Sequence, residues 1–465
     1  MKFKKGLSII LFLSCCLLTA CSSGDKKTEK DKFENGKVIL KIACKKDVTV
    51  SYSLYLPSGY TEEKKYPVIF AFDAHAKGNK PVELFRDMAE KYGYIVIGSN
   101  NSRNGMSTNE NMGIYDMLSD DALTRFSIDR NRVYTAGFSG GSRVASSVAI
   151  FKGGICGVIG CSAGFPSLEQ PIQFKFDYIG FVGDEDMNYL EMITLEDALQ
   201  KAGYRHQLVV FHGKHDWPPK EVIPDAFIWL EANAMKDLKK PVDKEFIKQT
   251  IKTWQEEAAK LEKQNKIYDA YKIYLKIANY FEKLDDLTEV KKKINALSSS
   301  AVVRKETAQS EKNRQTEMSL QTRYLKALGE KNPAWWKEEI RQMNNIAEKS
   351  KNEDEQAITC RLLGYLSLTA YSYSNACLNA GKLDQAEHYI ELYSIIDPTN
   401  SEHAYFSAVL NVKLGNTEKA FESLEKALSL GFNDFGRYQG DTVLARLKND
   451  TRYFDILERL RQGNQ

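Results

Sequence analysis

The chain of 465 residues is 43% hydrophobic and 27% charged, too apolar for a disordered polypeptide and too long for one hydrophobic core, so two domains are expected. Lys plus Arg total 65 against 62 for Asp plus Glu, which excludes a general electrostatic pull toward nucleic acid or an anionic membrane surface. Any binding must come from local sites.

At the amino terminus, Lys2, Lys4 and Lys5 precede an apolar run from Gly6 to Leu18 that is too short for a stable membrane span, the pattern of a removable export signal. The end of the run, Leu18-Thr19-Ala20-Cys21, resembles the bacterial lipobox, whose cysteine thiol takes a diacylglyceryl group. That resemblance implies a signal peptide over residues 1–20 and lipidation of Cys21 as the mature amino terminus. The protein is then expected on the exported side of the cell envelope, tethered to the membrane by acyl chains, each buried methylene contributing roughly 0.8 kcal/mol. Residues 21–35 are polar and charged, which suits a tether, and the folded part is expected from near Phe33. Outside the signal and Cys21, the cysteines Cys44, Cys156, Cys161, Cys360 and Cys377 lack metal-ligand spacing and read as mostly buried small residues.

Over residues 36–235, short β-branched runs alternate with helical stretches, which predicts a mainly parallel sheet with helices on both faces. Val50 to Leu56 alternates apolar and polar before Pro57-Ser58-Gly59, suggesting an antiparallel edge strand. Val68 to Phe72, Tyr94 to Gly98, Val133 to Ala136 and Gly157 to Cys161 are continuously apolar, as buried strands are. Tyr178 to Val182 and Gln207 to Phe211 complete the set. Loops after the strand ends of such a sheet line the active crevice.

Gly137-Phe138-Ser139-Gly140-Gly141 follows one of these strands and precedes a stretch able to form a helix. A sharp strand-to-helix turn exposes the serine oxygen as a nucleophile, and only small neighbours let the chain pass so closely. The backbone N–H of Gly140 is then one oxyanion donor, and that of Ala74 or His75, in the loop after Val68 to Phe72, is the candidate for the second. The acid belongs on Gly183-Asp184-Glu185-Asp186-Met187-Asn188, with Asp186 preferred and Asp184 the alternative. The base belongs on the loop after Gln207 to Phe211, where His215 is preferred over His212 because Trp217 and Pro218 can fix its ring. Serine, acid and histidine thus fall in the chain order that this kind of sheet requires.

Together, Ile128-Asp129-Arg130-Asn131-Arg132-Val133-Tyr134, the turn at Ser139 and His215-Asp216-Trp217-Pro218 resemble the polyhydroxybutyrate depolymerase, acetylxylan esterase and feruloyl esterase group of α/β-hydrolases. The resemblance covers about residues 36 to 235 and implies hydrolysis of a carboxylic ester through an acyl-serine, with no metal or other cofactor. The group usually carries His-Gly-x-Gly in the oxyanion loop, where this chain has Asp73-Ala74-His75-Ala76, so the acyl site differs.

Residues 243–465 turn to helical periodicity. Gly381 and Gly415 stand 34 residues apart, as do Ala386 and Ala420, Ile390 and Leu424, and Tyr393 and Ala427. That period resembles the tetratricopeptide repeat, with Pro398 ending a unit, and a weaker copy fits Ala258, Ala270, Tyr274 and Ile277. Trp335 and Trp336 are expected between helices. Such arrays offer a concave face to a protein or peptide partner, or only support the neighbouring domain.

The sequence therefore predicts a serine hydrolase acting on an ester, an acyl or feruloyl group on a carbohydrate being the expected class. A peptidase on the same triad remains open, as does an interaction scaffold with a vestigial hydrolase.

Overall fold

The computed structural model describes residues 32–166, 172 and 174–463, so Cys21, the expected signal peptide and most of the tether lie outside the described residues. From Val38 to Lys236 the elements are β1 (Val38–Ala43), β2 (Ser51–Tyr55), β3 (Tyr66–Phe72), α1 (Asn79–Tyr92), β4 (Ile95–Ser99), α2 (Thr108–Arg125), β5 (Ile128–Phe138), α3 (Gly140–Lys152), β6 (Gly157–Cys161), β7 (Asp177–Gly183), α4 (Tyr189–Lys201), β8 (His206–Phe211) and α5 (Ile223–Lys236). The eight strands form one sheet in the order β1-β2-β4-β3-β5-β6-β7-β8. Only β2 pairs antiparallel to its neighbours, β1 and β4, and every other pair is parallel. This is the α/β-hydrolase fold.

Two expectations change in detail. Val50 to Leu56 does not form the edge, because β1 pairs outside β2 and buries all five of its residues. Leu40 and Lys41 of β1 face solvent instead, which is where the edge polarity went. The strand expected at Val133 begins five residues earlier, and β5 absorbs Asp129, Arg130 and Asn131. Within it the Arg132 guanidinium meets the Glu231 carboxylate of α5, which also accepts the Tyr94 hydroxyl at 2.6 Å and pairs with Lys240. The start of β5 is thereby fixed to the last helix of this half.

After Lys236 the chain is all helical: α6 (Lys244–Lys263), α7 (Ile267–Phe281), α8 (Thr288–Ser298), α9 (Ala301–Glu330), α10 (Pro333–Lys349), α11 (Glu353–Asn379), α12 (Leu383–Ile396), α13 (Ser401–Lys413), α14 (Thr417–Ser429), α15 (Phe435–Gly440) and α16 (Thr451–Gln462). The period of 34 has a structural counterpart. Gly381 and Gly415 take positive φ, 69° and 79°, just beyond the ends of α11 and α13. Ala386 and Ala420 are both fully buried near the starts of α12 and α14, where a larger side chain would hold the helices apart. Trp336 is fully buried against Tyr324, whereas Trp335 is only partly covered. No helix among the described residues is long and apolar enough to cross a membrane.

The change to helical structure and the division between hydrophobic clusters fall at different places. One cluster contains Phe85, Phe227 and Trp229 beside the sheet together with Ile247, Trp254, Ile277, Tyr280 and Phe281 of α6 and α7 and Val290 of α8. A second begins at Tyr324 of α9 and runs to Leu460. Trp229 of α5 meets Tyr280 edge to face at 4.9 Å, and Lys276 of α7 pairs with Asp225 of α5 at 3.2 Å. Each large apolar side chain so buried contributes about 1.5–3 kcal/mol. A chain ended after Lys236 should therefore expose the outer face of α5, bind a hydrophobic dye and aggregate. One ended at Ser300 should stay soluble, as size-exclusion chromatography of the two would show.

Candidate active site

Four loops that follow β3, β5, β7 and β8 meet where the strands end level. At the end of β5, Ser139 takes φ 54° and ψ −122°, a conformation costing about 1–3 kcal/mol for a residue with a side chain. The backbone offsets part of this cost, since Ser139 N–H donates to Cys161 O at 2.9 Å and Ser139 O accepts from Ser142 N–H at 3.0 Å. The turn admits no Cβ on either side. One built on Gly137 would lie 2.1 Å from Gly141 O, and one on Gly141 would lie 2.1 Å from Phe72 O. A Cβ on Gly140 meets only the end of the Asn104 side chain.

The half-buried Ser139 hydroxyl is 3.0 Å from His215 Nε2, and His215 Nδ1 is 2.8 Å from Asp186 Oδ1. Asp186 is fully buried, its Oδ1 also accepts the Asn188 N–H at 2.8 Å, and its Oδ2 has no partner among the described residues. Asp184, the alternative acid, is turned away. Its carboxylate takes the exposed His212 ring at 3.0 Å and the Gly213 N–H at 3.0 Å. That hydrogen bond, with the attraction of the same carboxylate, raises the affinity of His212 for its proton. His212 is thus a surface partner of Asp184 rather than part of the buried chain.

One aromatic ring packs on His215, and a second packs behind it. Phe138, the last residue of β5 and the one before Ser139, lies 4.9 Å from the His215 ring and 5.7 Å from Trp217, and Trp217 packs edge-on against Phe85. Trp217 Nε1–H donates to Asp73 Oδ2 at 2.9 Å in the interior. Asp73 Oδ1 accepts the His75 N–H at 2.8 Å.

This last bond distinguishes the two N–H groups expected as the second oxyanion donor. His75 N–H is occupied, and its ring is exposed; Ala74 N–H is buried and makes no hydrogen bond among the described residues. Gly140 N–H, at the first turn of α3, is likewise without a partner among them. A buried N–H such as that of Ala74 is rarely left so, whereas the half-buried Gly140 N–H is one of the first-turn donors that a helix leaves open. The approach of Gly141 to Phe72 and Asp73 puts the loop that carries Ala74 against the turn that carries Gly140. Asp73 ties this loop to Trp217; no local pattern signals that role, because it depends on a tryptophan 144 residues away. A pocket of about 270 Å³ opens beside Gly140, lined by Arg103, Asn104, Met106, Asn111, Arg143 and Val144. Among the described residues no three His, Cys, Asp or Glu side chains are placed to hold a metal ion.

The arrangement can transfer a proton from a hydroxyl to an imidazole and stabilise an anion that forms next to it. Among solved structures, this chain is similar to S-formylglutathione hydrolase (FrmB) from Staphylococcus aureus, with 16% identity and a TM-score of 0.36 over 43% of this chain and 98% of that one. It is also similar to a serine-to-alanine mutant of the feruloyl esterase module from Clostridium thermocellum complexed with sinapinate, at 14% identity and a TM-score of 0.35 over 42% and 88%. A third is FphF, a fluorophosphonate-binding serine hydrolase of Staphylococcus aureus, at 16% and 0.34 over 42% and 98%. No family model and no curated protein matches this chain.

The glycines give a direct check on the turn. Gly137→Ala and Gly141→Ala press a methyl group into backbone and should each cost about 1–3 kcal/mol or more, lowering the midpoint of thermal unfolding. Gly140→Ala should fold with a midpoint close to the parent's, because the Asn104 side chain can swing aside.

Proposed function

We propose that this chain is a serine hydrolase that cleaves carboxylic esters through an acyl-serine intermediate. One observation carries the reading: the hydrogen-bonded series Ser139, His215, Asp186 runs to a strained serine beside two N–H groups that have no partner among the described residues.

Ser139 Oγ attacks the ester carbonyl carbon while His215 Nε2 takes its proton, and the carbonyl electron pair moves onto oxygen. Gly140 N–H and Ala74 N–H receive the resulting oxyanion. Asp186 holds His215 in the tautomer whose Nε2 is free to accept and stabilises the imidazolium that forms, without itself taking the proton. Collapse of the tetrahedral species breaks the carbon–oxygen bond, and His215 returns the proton to the leaving alcohol. Water then enters by the same route, with His215 as its base, and releases the acid.

The pocket beside Gly140 supplies room for one side of the substrate. Acyl and feruloyl esters of carbohydrate are the first class to test. The lipobox-like segment ending at Cys21 would put this activity on the exported side of a membrane, and the 34-residue repeats would supply a tetratricopeptide-like face for a protein or peptide partner.

A fluorophosphonate probe should label the parent chain and not Ser139→Ala, and p-nitrophenyl acetate turnover should vanish with the labelling. Asp186→Asn should lower kcat by about 10⁴-fold, while Asp184→Asn should leave it near the parent value. Parental turnover by Ser139→Ala would refute the reading. Rates on short-chain and feruloyl esters beside peptide amides would then separate an esterase from a peptidase.

A further inference from the structure

Asp186 has few side-chain restraints of its own. Its carboxylate meets His215 and one backbone N–H, and its other oxygen has no partner among the described residues, so its position depends on the backbone of the loop from Gly183 to Asn188. Part of that loop is held within the α/β half. Asp184 N–H donates to Phe211 O at 2.9 Å, Glu185 N–H to Gly213 O at 3.0 Å, and Asp186 N–H to Gly183 O at 3.1 Å.

At the far end of the loop Asn188 Nδ2 donates to Ser162 O at 2.7 Å, and a further hold comes from the helical half. Arg361 of α11 is buried, and so is Glu317 of α9, whose carboxylate accepts from Arg361 Nη2 at 2.6 Å and from Nε at 2.9 Å. Two nitrogens of the guanidinium fork are thereby spent on an ion pair that two apolar side chains could replace with little loss of stability. The remaining nitrogen, Nη1, donates to the main-chain oxygen of Asp184 at 2.5 Å. The central carbon of the same group lies over the ring of Tyr189, the first residue of α4, 4.4 Å from its centre. One side chain therefore touches the acid loop on both sides of Asp186. Close by, a Cβ built on Gly364, one turn further along α11, would lie 3.1 Å from Met187 Cβ, so helix and loop are in direct contact.

We infer that Arg361, oriented by Glu317, is a positioning residue for Asp186, and that the helical half completes the catalytic triad in cis. The inference rests on the serine-hydrolase reading above. Arg361 touches no reacting atom. It fixes the loop whose carboxylate orients His215, and a displacement of about 1 Å in such a constellation can cost as much as 100-fold in rate.

The test is made on the full chain with p-nitrophenyl acetate and the fluorophosphonate probe. Arg361→Lys keeps a cation against Glu317 but lacks the fork that reaches Asp184 O. Its kcat should fall about 10- to 100-fold with KM little changed and the probe labelling slowed in parallel. Arg314→Met serves as the control, because Arg314 of α9 pairs with Asp197 of α4 across the same two halves without touching the acid loop; its kcat should match the parent's. Should Arg361→Lys fold poorly, the double variant Glu317→Leu with Arg361→Met removes both buried charges together and should show the same loss of kcat at a parental melting temperature. Parental kcat in a folded Arg361 variant, or an equal loss in Arg314→Met, would overturn the inference alone. A parent chain without Ser139-dependent turnover would overturn the hydrolase reading, and the inference with it.

Discussion

The site depends on a parallel ladder whose strands end level. Phe72 pairs with Gly137, Phe138 with Cys161, Cys161 with Phe181, and Gly183 with Phe211, each pair near the last residues of its strands. Because parallel strands share one direction, the loops that leave them emerge on one side of the sheet, and this register brings them out side by side. Ala74, Ser139, Asp186 and His215 come from four different loops. A shift of one residue in any of these pairings would turn every side chain of that strand to the opposite face and break the series.

The ladder also carries the strain. Ser139 holds an unfavourable conformation because its N–H is taken by Cys161 O and the flanking glycines allow the backbone to fold back onto Phe72. Phe138 then does more than fill space. It packs on both His215 and Trp217, so the turn that carries Ser139 and the loop that carries His215 share one aromatic cluster. Asp73 extends that cluster to the oxyanion loop through Trp217 Nε1. A net hydrogen-bond contribution of about 1 kcal/mol is modest in itself; here it also sets which loop N–H groups remain free.

Features governed by local chemistry are the ones legible in the sequence. The turn at Ser139, each of the three partner loops and each buried strand leave a local pattern, and the order of the loops follows from reading them along the chain. Sequence only favours Asp186 over Asp184, because both lie on one short loop; the pairing of Asp184 with His212 and Gly213 settles which one turns inward. His75 and Ala74 are indistinguishable for the same reason, until the Asp73 side chain occupies the N–H of His75. β1 is hard to see as the edge because its mix of Lys41 and apolar residues reads weakly beside the stronger β2. Arg361 and Glu317 cannot be found at all from periodicity, since a buried charge in an amphipathic helix looks like any solvated one until its partner across the fold is known. The continuation of the first core into α6 has a local signal, Ile247, Ile251, Trp254 and Ala258 on one helical face. Which surface that face meets has none.

The grip of Arg361 on Asp184 spans 177 residues, and so fixes an order of events during synthesis. At about 5–20 residues per second, a ribosome that has finished the acid loop needs roughly 9 to 35 s more to reach Arg361. For that interval every residue of the triad exists, yet the loop beneath Asp186 has only its neighbours in the sheet to hold it. A nascent chain, or one truncated within the helices, would carry the whole nucleophile turn and still lack its last brace. On the hydrolase reading, the α/β half would then reach its full rate only after α9 and α11 have been made and folded against it.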